Sequence, residues 1–271
     1  MNIPTPERDF TQQAQDLAAD GHQPDTNLIG DLVTANHILF DQGVLDSFGH
    51  VSVRDSRRPD RFLLARNMAP GLVGAADIIQ FDLDGQPVDA AGRGIYLERF
   101  IHGEIYKARP DVMAVVHSHS PAVVPFSVSK TSTLRATCHM AGFIGLGTPI
   151  FEIRKYAGDT NSLLITDNEL GRGLAEVLGQ RSLVLMRGHG STVVADDLKR
   201  AVYRAVYTEV NAKIQSSAMA LGEVEFLSEG EIAETVRVIE TQVMRAWNFW
   251  KLKATATARA FAEQQQAMQQ P

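Results

Sequence analysis

Apolar positions change their period several times along the chain, and each change marks an element. Leu32, Ala35, Ile38 and Leu39 recur at helical spacing and predict a helix over Leu28–Val44, ended by Gly43. Phe48–Arg54 alternates as a half-buried strand does, and Arg61–Ala65 reads as a second strand. Asp77–Gly85 is a strand running into a turn at Asp84 and Gly85. Tyr96–Arg109 is a helix stopped before Pro110, where the pyrrolidine ring disfavours helical backbone in the preceding residue. A strand over Val112–His117, a helix opened near Ser120 and Pro121, and a glycine-rich irregular stretch over Thr137–Gly147 follow. Asn168–Leu178 is a short helix with Gly179 at its end, leading to strands Ser182–Met186 and Ser191–Ala195. Asp196 or Asp197 caps a long helix to about Leu221, and Ser228 caps another that runs past Trp250. Residues 1–24 are polar and read as a flexible arm, residues 263–271 are glutamine-rich and read as a frayed tail, and residues 25–262 are expected to form one domain.

Strands and helices mixed without regular βαβ alternation predict an α/β fold, a three-layer α/β/α sandwich around a mixed, largely antiparallel sheet. The hydrophobic (44%) and charged (21%) fractions are those of an ordinary globular protein of 271 residues. A formal charge of −6 with no basic stripe argues against a nucleic-acid or membrane-surface partner. No apolar run is long enough for a membrane span, and Met1–Asp9 lacks the basic start and apolar core of a secretory signal, so a cytoplasmic setting is expected. The single cysteine, Cys138, excludes an intrachain disulfide and reads as a small core residue. No glycine-rich phosphate loop is present, which removes support for nucleotide binding. Met244, Trp247, Phe249 and Trp250 on the last helix fit a core stripe or a subunit contact.

The candidate chemistry lies in three histidines on two short segments, Val115-Val116-His117-Ser118-His119 and Met186-Arg187-Gly188-His189-Gly190. Residues two apart on a strand share a face, so His117 and His119 can aim both imidazoles at one point. His189 sits at the mouth of a glycine-flanked turn, and Glu98 adds a carboxylate from a nearby helix. Three neutral nitrogens and one oxygen suit Zn²⁺, or Mn²⁺ where water or substrate fills further positions.

Glu98-Arg99-Phe100-Ile101-His102, then Arg109-Pro110-Asp111 leading into His117-Ser118-His119, and later Arg187-Gly188-His189-Gly190, resemble the class II aldolase/adducin family over roughly residues 28–222. The 19-residue interval from Glu98 to His117 fits that family's arrangement. The resemblance implies that His117, His119 and His189 bind a divalent ion and that Glu98 is a ligand or a proton-transfer group. It also implies a homotetramer with active sites between subunits.

Three departures separate this chain from the family's sugar-phosphate aldolases, whose hydroxyl residues and backbone amides hold phosphate. Here the corresponding segments read Gly49-His50-Val51-Ser52, Leu64-Ala65-Arg66-Asn67-Met68-Ala69-Pro70 and Gly94-Ile95-Tyr96-Leu97-Glu98. Arg66 offers a fork for a carboxylate, while Met68, Ile95 and Tyr96 suit a flat ring. This pattern resembles the family's decarboxylase branch, which acts on hydroxylated aromatic or pyridine dicarboxylates such as 3,4-dihydroxyphthalate and 3-hydroxy-2-methylpyridine-4,5-dicarboxylate in aromatic compound catabolism. The resemblance implies a carbon–carbon lyase using one divalent ion (Mn²⁺ or Zn²⁺) per chain and no organic cofactor. Arg66 is the expected carboxylate clamp, and His50 the expected proton donor or carboxylate contact. His102, four residues after Glu98, reads as a local structural partner, and His22, His37 and His139 carry no motif. Tyr156 and Tyr207 read as core packing in preference to entry into a neighbour's site. The rival functions are a sugar-phosphate or 2-oxo-acid aldolase and a non-catalytic adducin-like scaffold. Altered phosphate segments oppose the first; intact metal residues oppose the second.

Overall fold

The computed structural model describes residues 25–88 and 90–269. The expected N-terminal arm, with His22, lies outside the described residues. Helix α1 (Thr26–Asp41) opens on Asp25, whose carboxylate accepts from the Asn27 N–H, and leads to strands β1 (His50–Arg54), β2 (Arg61–Ala65) and β3 (Ile78–Asp82). Helix α2 (Arg99–Ala108), β4 (Ala114–Ser118), the short α3 (Val124–Val128), β5 (Ile150–Phe151) and α4 (Arg154–Ala157) follow. Then come α5 (Asn168–Leu178), β6 (Leu183–Met186), β7 (Gly190–Ala195), α6 (Leu198–Leu221), α7 (Glu229–Ile239) and α8 (Val243–Gln269).

The seven strands form one mixed sheet in the order β3-β2-β1-β4-β7-β6-β5, antiparallel throughout except for the β5–β6 pair. Strand alternation assigns its two faces. Ser52 of β1 bonds to His102 and Tyr106 of α2, so that face meets α2. Val53 points the other way and shares a cavity wall with Leu28 of α1 and Leu198 of α6. Helix α5 packs on α2, while α1, α6 and α8 pack on one another, which gives a layer of helices on each side of the sheet. Both faces being covered, every residue of β1, β2, β4, β6 and β7 is buried.

Some expected boundaries move, each for a local reason. Helix α2 starts at Arg99, not Tyr96, because the preceding segment commits its groups elsewhere: the Gly94 carbonyl accepts from Asn67 N–H, and the Tyr96 hydroxyl donates to the Met68 carbonyl. Glu98 therefore occupies the capping position and not the helix body. The helix expected to run unbroken from Ser228 past Trp250 is two helices joined by a 3-10 turn over Glu240–Gln242. Glu240 at that break is shared by Arg200 and Arg204 of α6. Beyond it, the backbone of α8 is helical to Gln269, into the stretch assigned to a frayed tail. Trp247 and Trp250 are buried, whereas Met244 and Phe249 are exposed.

Two glycines allow the central strands to close. Gly49 has φ +82°, and a Cβ there would lie 2.9 Å from the His117 carbonyl oxygen. A Cβ on Gly190 would collide with the Ser118 carbonyl, so only glycine lets β7 start against the end of β4. Gly49→Ala should lower stability by about 1–3 kcal/mol through backbone strain and that contact, measured by equilibrium urea unfolding.

Candidate metal centre

The central ladder gathers the candidate ligands. Antiparallel pairing sets His50 of β1 opposite His117 of β4, and Ser118 opposite Ser191 of β7. His119 follows directly after β4, and His189 closes the three-residue turn between β6 and β7. Glu98 enters from the cap of α2. His119 Nε2 lies 3.0 Å from the Nε2 atoms of both His117 and His189. Glu98 Oε2 lies 3.6 Å from His117 Nε2 and 3.4 Å from His189 Nε2. One ligand atom from each of the four residues falls within 4.8 Å of all the others. Tetrahedral ligands at about 2.0–2.2 Å from an ion sit roughly 3.3–3.6 Å apart, so the constellation is of the right size.

The surroundings favour ligation. His117 Nδ1 donates to the Ser191 carbonyl at 3.1 Å, which leaves its Nε2 lone pair facing the cluster. Glu98 Oε1 accepts the Ile165 backbone N–H at 2.9 Å, which turns Oε2 toward the histidines. Burial lowers the pKa of His117, and burial with the neighbouring His117 and His189 brings His119 down to about 4. Burial pushes the Glu98 carboxyl up, but hydrogen bonds and charge from His117 and His189 outweigh it and hold the group well below the usual carboxylate range. A carboxylate and three imidazole nitrogens facing one centre form a donor set that a divalent cation can bind.

The remaining expected residues lie around this cluster at differing depths. His50 is buried, its ring 4.7 Å from that of Tyr96 and 5.1 Å from that of His117. Tyr96 is held by its bond to the Met68 carbonyl, so Met68 contributes its backbone as well as a partly buried side chain. Arg66 pairs through Nε with Asp77 at 2.6 Å and is 39% exposed, and its charge reaches Tyr96. Its terminal nitrogens have no partner among the described residues. Tyr207 packs on Tyr203 and Trp250, whereas Tyr156 lies against Phe151 and stays partly exposed. Sequence reasoning gave His102 only a local role, yet it bonds across to His50 and Ser52. A cavity of about 680 Å³ lies elsewhere, between α6 and α8, lined by Tyr203, Tyr207, Phe249 and Trp250. Among the described residues, no group of ligating side chains converges there.

The Class II Aldolase and Adducin N-terminal domain family matches residues 30–216. The chain belongs to this family. Decarboxylase tropJ of Talaromyces stipitatus is 40% identical over 241 residues, covering 80% of this chain and 90% of that protein. The 3,4-dihydroxyphthalate decarboxylase of Arthrobacter keyseri is 28% identical, covering 70% and 78% respectively. Among solved structures, an L-fuculose 1-phosphate aldolase superposes with a TM-score of 0.69 at 21% identity, over 81% of this chain and 99% of that one. Within the family, the chain is a carbon–carbon lyase that falls with the carboxy-lyases. No described helix is long and apolar enough to cross a membrane.

Two outcomes follow from this geometry. Elemental analysis should find about one divalent ion per wild-type chain and next to none in His119→Ala, with unchanged circular dichroism. In chelator-treated protein, burial followed by the charge of His117 holds His102 at about 3, against 6.5 for a free side chain. The unfolded state therefore takes this proton first, so the stability contributed by His102 is complete above 6.5 and is lost as pH falls toward 3. Urea midpoints measured between pH 7 and 4 should fall in the wild type and fall less in His102→Gln.

Proposed function

We propose that this protein is a metal-dependent, non-oxidative decarboxylase of an ortho-hydroxylated aromatic or pyridine dicarboxylate, of the 3,4-dihydroxyphthalate or 3-hydroxy-2-methylpyridine-4,5-dicarboxylate kind. The observation that carries this reading is the wall beside the ligand cluster, where the rings of His50 and Tyr96 lie 4.7 Å apart. A flat substrate ring packs on such a wall better than a sugar phosphate does. The names of the relatives from Talaromyces and Arthrobacter support the same chemistry.

A bound Zn²⁺ or Mn²⁺ would supply a Lewis acid for the substrate hydroxyl oxygen. The chain's own residues would do the rest. Glu98 accepts the proton of the ring hydroxyl and returns it to the ring carbon that bears the departing carboxylate, giving a β-keto acid tautomer. The bond to CO₂ then breaks, its electron pair re-forms the aromatic ring as a phenolate, and that phenolate takes up a proton from solvent. His50 contacts the departing carboxylate and holds it out of the ring plane, so that the breaking bond overlaps the π system. Arg66, with Nε fixed by Asp77, offers its terminal nitrogens to the second carboxylate.

We infer the tetramer with interfacial sites from the same family. Phe48 and Leu97, 67% and 61% exposed, flank His50 and Glu98 in sequence and leave an apolar rim suited to a neighbouring subunit. Light scattering should report a particle about four chains in size, and an active monomer would count against this arrangement.

Arg66→Ala should reduce kcat/KM by about ten- to a hundredfold, with Arg66→Lys recovering only part, since lysine lacks the planar fork. His50→Ala should depress kcat by about a hundredfold with less effect on KM, and both variants should keep their metal. The test is CO₂ release from a panel of ortho-hydroxy aromatic dicarboxylates. Cleavage of a sugar phosphate without any such release would establish the aldolase reading instead.

A further inference from the structure

His50 is the near end of a buried run of hydrogen bonds. Its Nδ1 lies 2.6 Å from His102 Nε2, His102 Nδ1 lies 2.6 Å from Ser52 Oγ, and Ser52 Oγ lies 2.8 Å from the Tyr106 hydroxyl. All four side chains are buried. The run zigzags between β1 and α2, using strand positions two apart and helix positions four apart, so two regular elements hold it with no loop residue involved.

Its direction follows from counting donors and acceptors. Burial raises the Tyr106 phenol well above its usual pKa, so the hydroxyl always has a proton to donate. The Val115 backbone bonds to the same hydroxyl oxygen, and the other partner of that hydroxyl among the described residues is Ser52 Oγ, which is able to accept the phenol proton. Ser52 then gives its own proton to His102 Nδ1. His102 is kept neutral by burial, so its single proton sits on Nε2 and is donated to His50 Nδ1. With Nδ1 accepting that bond, the His50 ring is left with its proton on Nε2. The reverse direction would strand a buried phenol proton without an acceptor.

We propose that Ser52, His102 and Tyr106 form a directional wire that fixes His50 as its Nε2–H tautomer, so that His50 meets the substrate as a hydrogen-bond donor and not as a base. These three are positioning residues. The catalytic consequence rests on the decarboxylase reading, because an N–H attracts a departing carboxylate where a lone pair would repel it; the tautomer itself does not. The wire deepens that reading by requiring an anionic oxygen on the substrate opposite His50.

The test is solid-state NMR of ¹³C,¹⁵N-histidine-labelled, zinc-loaded protein, with the His50 signals identified by their loss in His50→Gln. His50 should show a protonated Nε2 and a bare Nδ1. Ser52→Ala cuts the wire and should spread His50 over both tautomers, with kcat reduced about tenfold, KM within about twofold and zinc content unchanged. Tyr106→Phe, which removes only the terminal donor, should move the spectrum and kcat the same way by a smaller factor. A wild-type His50 that is Nδ1–H or imidazolium overturns the proposal, as does a Ser52→Ala protein with an unaltered His50 spectrum. A changed tautomer with an unchanged kcat overturns the positioning role. If no ortho-hydroxy acid loses CO₂ while the spectra behave as expected, the wire stands and the decarboxylase reading falls.

Discussion

Three imidazole lone pairs and a carboxylate repel one another, so something rigid must hold them together before any ion arrives. In this protein that constraint is the β1–β4–β7 ladder. Its register fixes His117 beside His50 and ends β4 where His119 must turn toward the β6–β7 connection. The close approach at Gly190 carries His189 to within 3.0 Å of His119. Because both faces of these strands are covered, moving the ladder would mean opening the core, and that cost keeps the ligands preorganised.

Around that centre the fold separates two kinds of polar group. Glu98, His117, His119 and His189 point one ligand atom each at a common centre, whereas His102, Ser52 and Tyr106 are hydrogen-bonded in series inside the core. The first set is unfavourable alone and suited to a cation. The second is favourable alone and serves to orient its neighbour. His50 links the two, bonded to His102 of the second set and with its ring 5.1 Å from that of His117 in the first.

Much of this was legible in the sequence, and the reasons differ by residue. His117 and His119 could be paired because strand period alone puts residues two apart on one face. Arg61–Ala65 and Asn168–Leu178 appear with the bounds expected of them, the first as a short apolar run and the second as a helix stopped by Gly179. The 3-10 break at Glu240–Gln242 carries no proline or glycine, and its stabilising arginines sit on another helix, so no local signal marks it. Strand β5 has two residues, too few to show a period. His102 looked like a neighbour of Glu98 because four residues separate them. Its real partners lie 50 and 52 residues away and depend on how α2 lies across β1. A sequence exposes what one element arranges by its own period, and it hides what the docking of two elements arranges.

The closure of α1 by α8 carries a consequence for how the chain is made. Asp41, the last residue of α1, pairs with Lys253 and accepts a hydrogen bond from Thr257. These contacts span more than two hundred residues, so the first helix described cannot complete its packing until the last one has been synthesised. On the ribosome, the part of α1 that α8 covers would wait exposed while the β1–β4–β7 ladder is already assembling. The central ladder is thus available early, and this side of the molecule is sealed late.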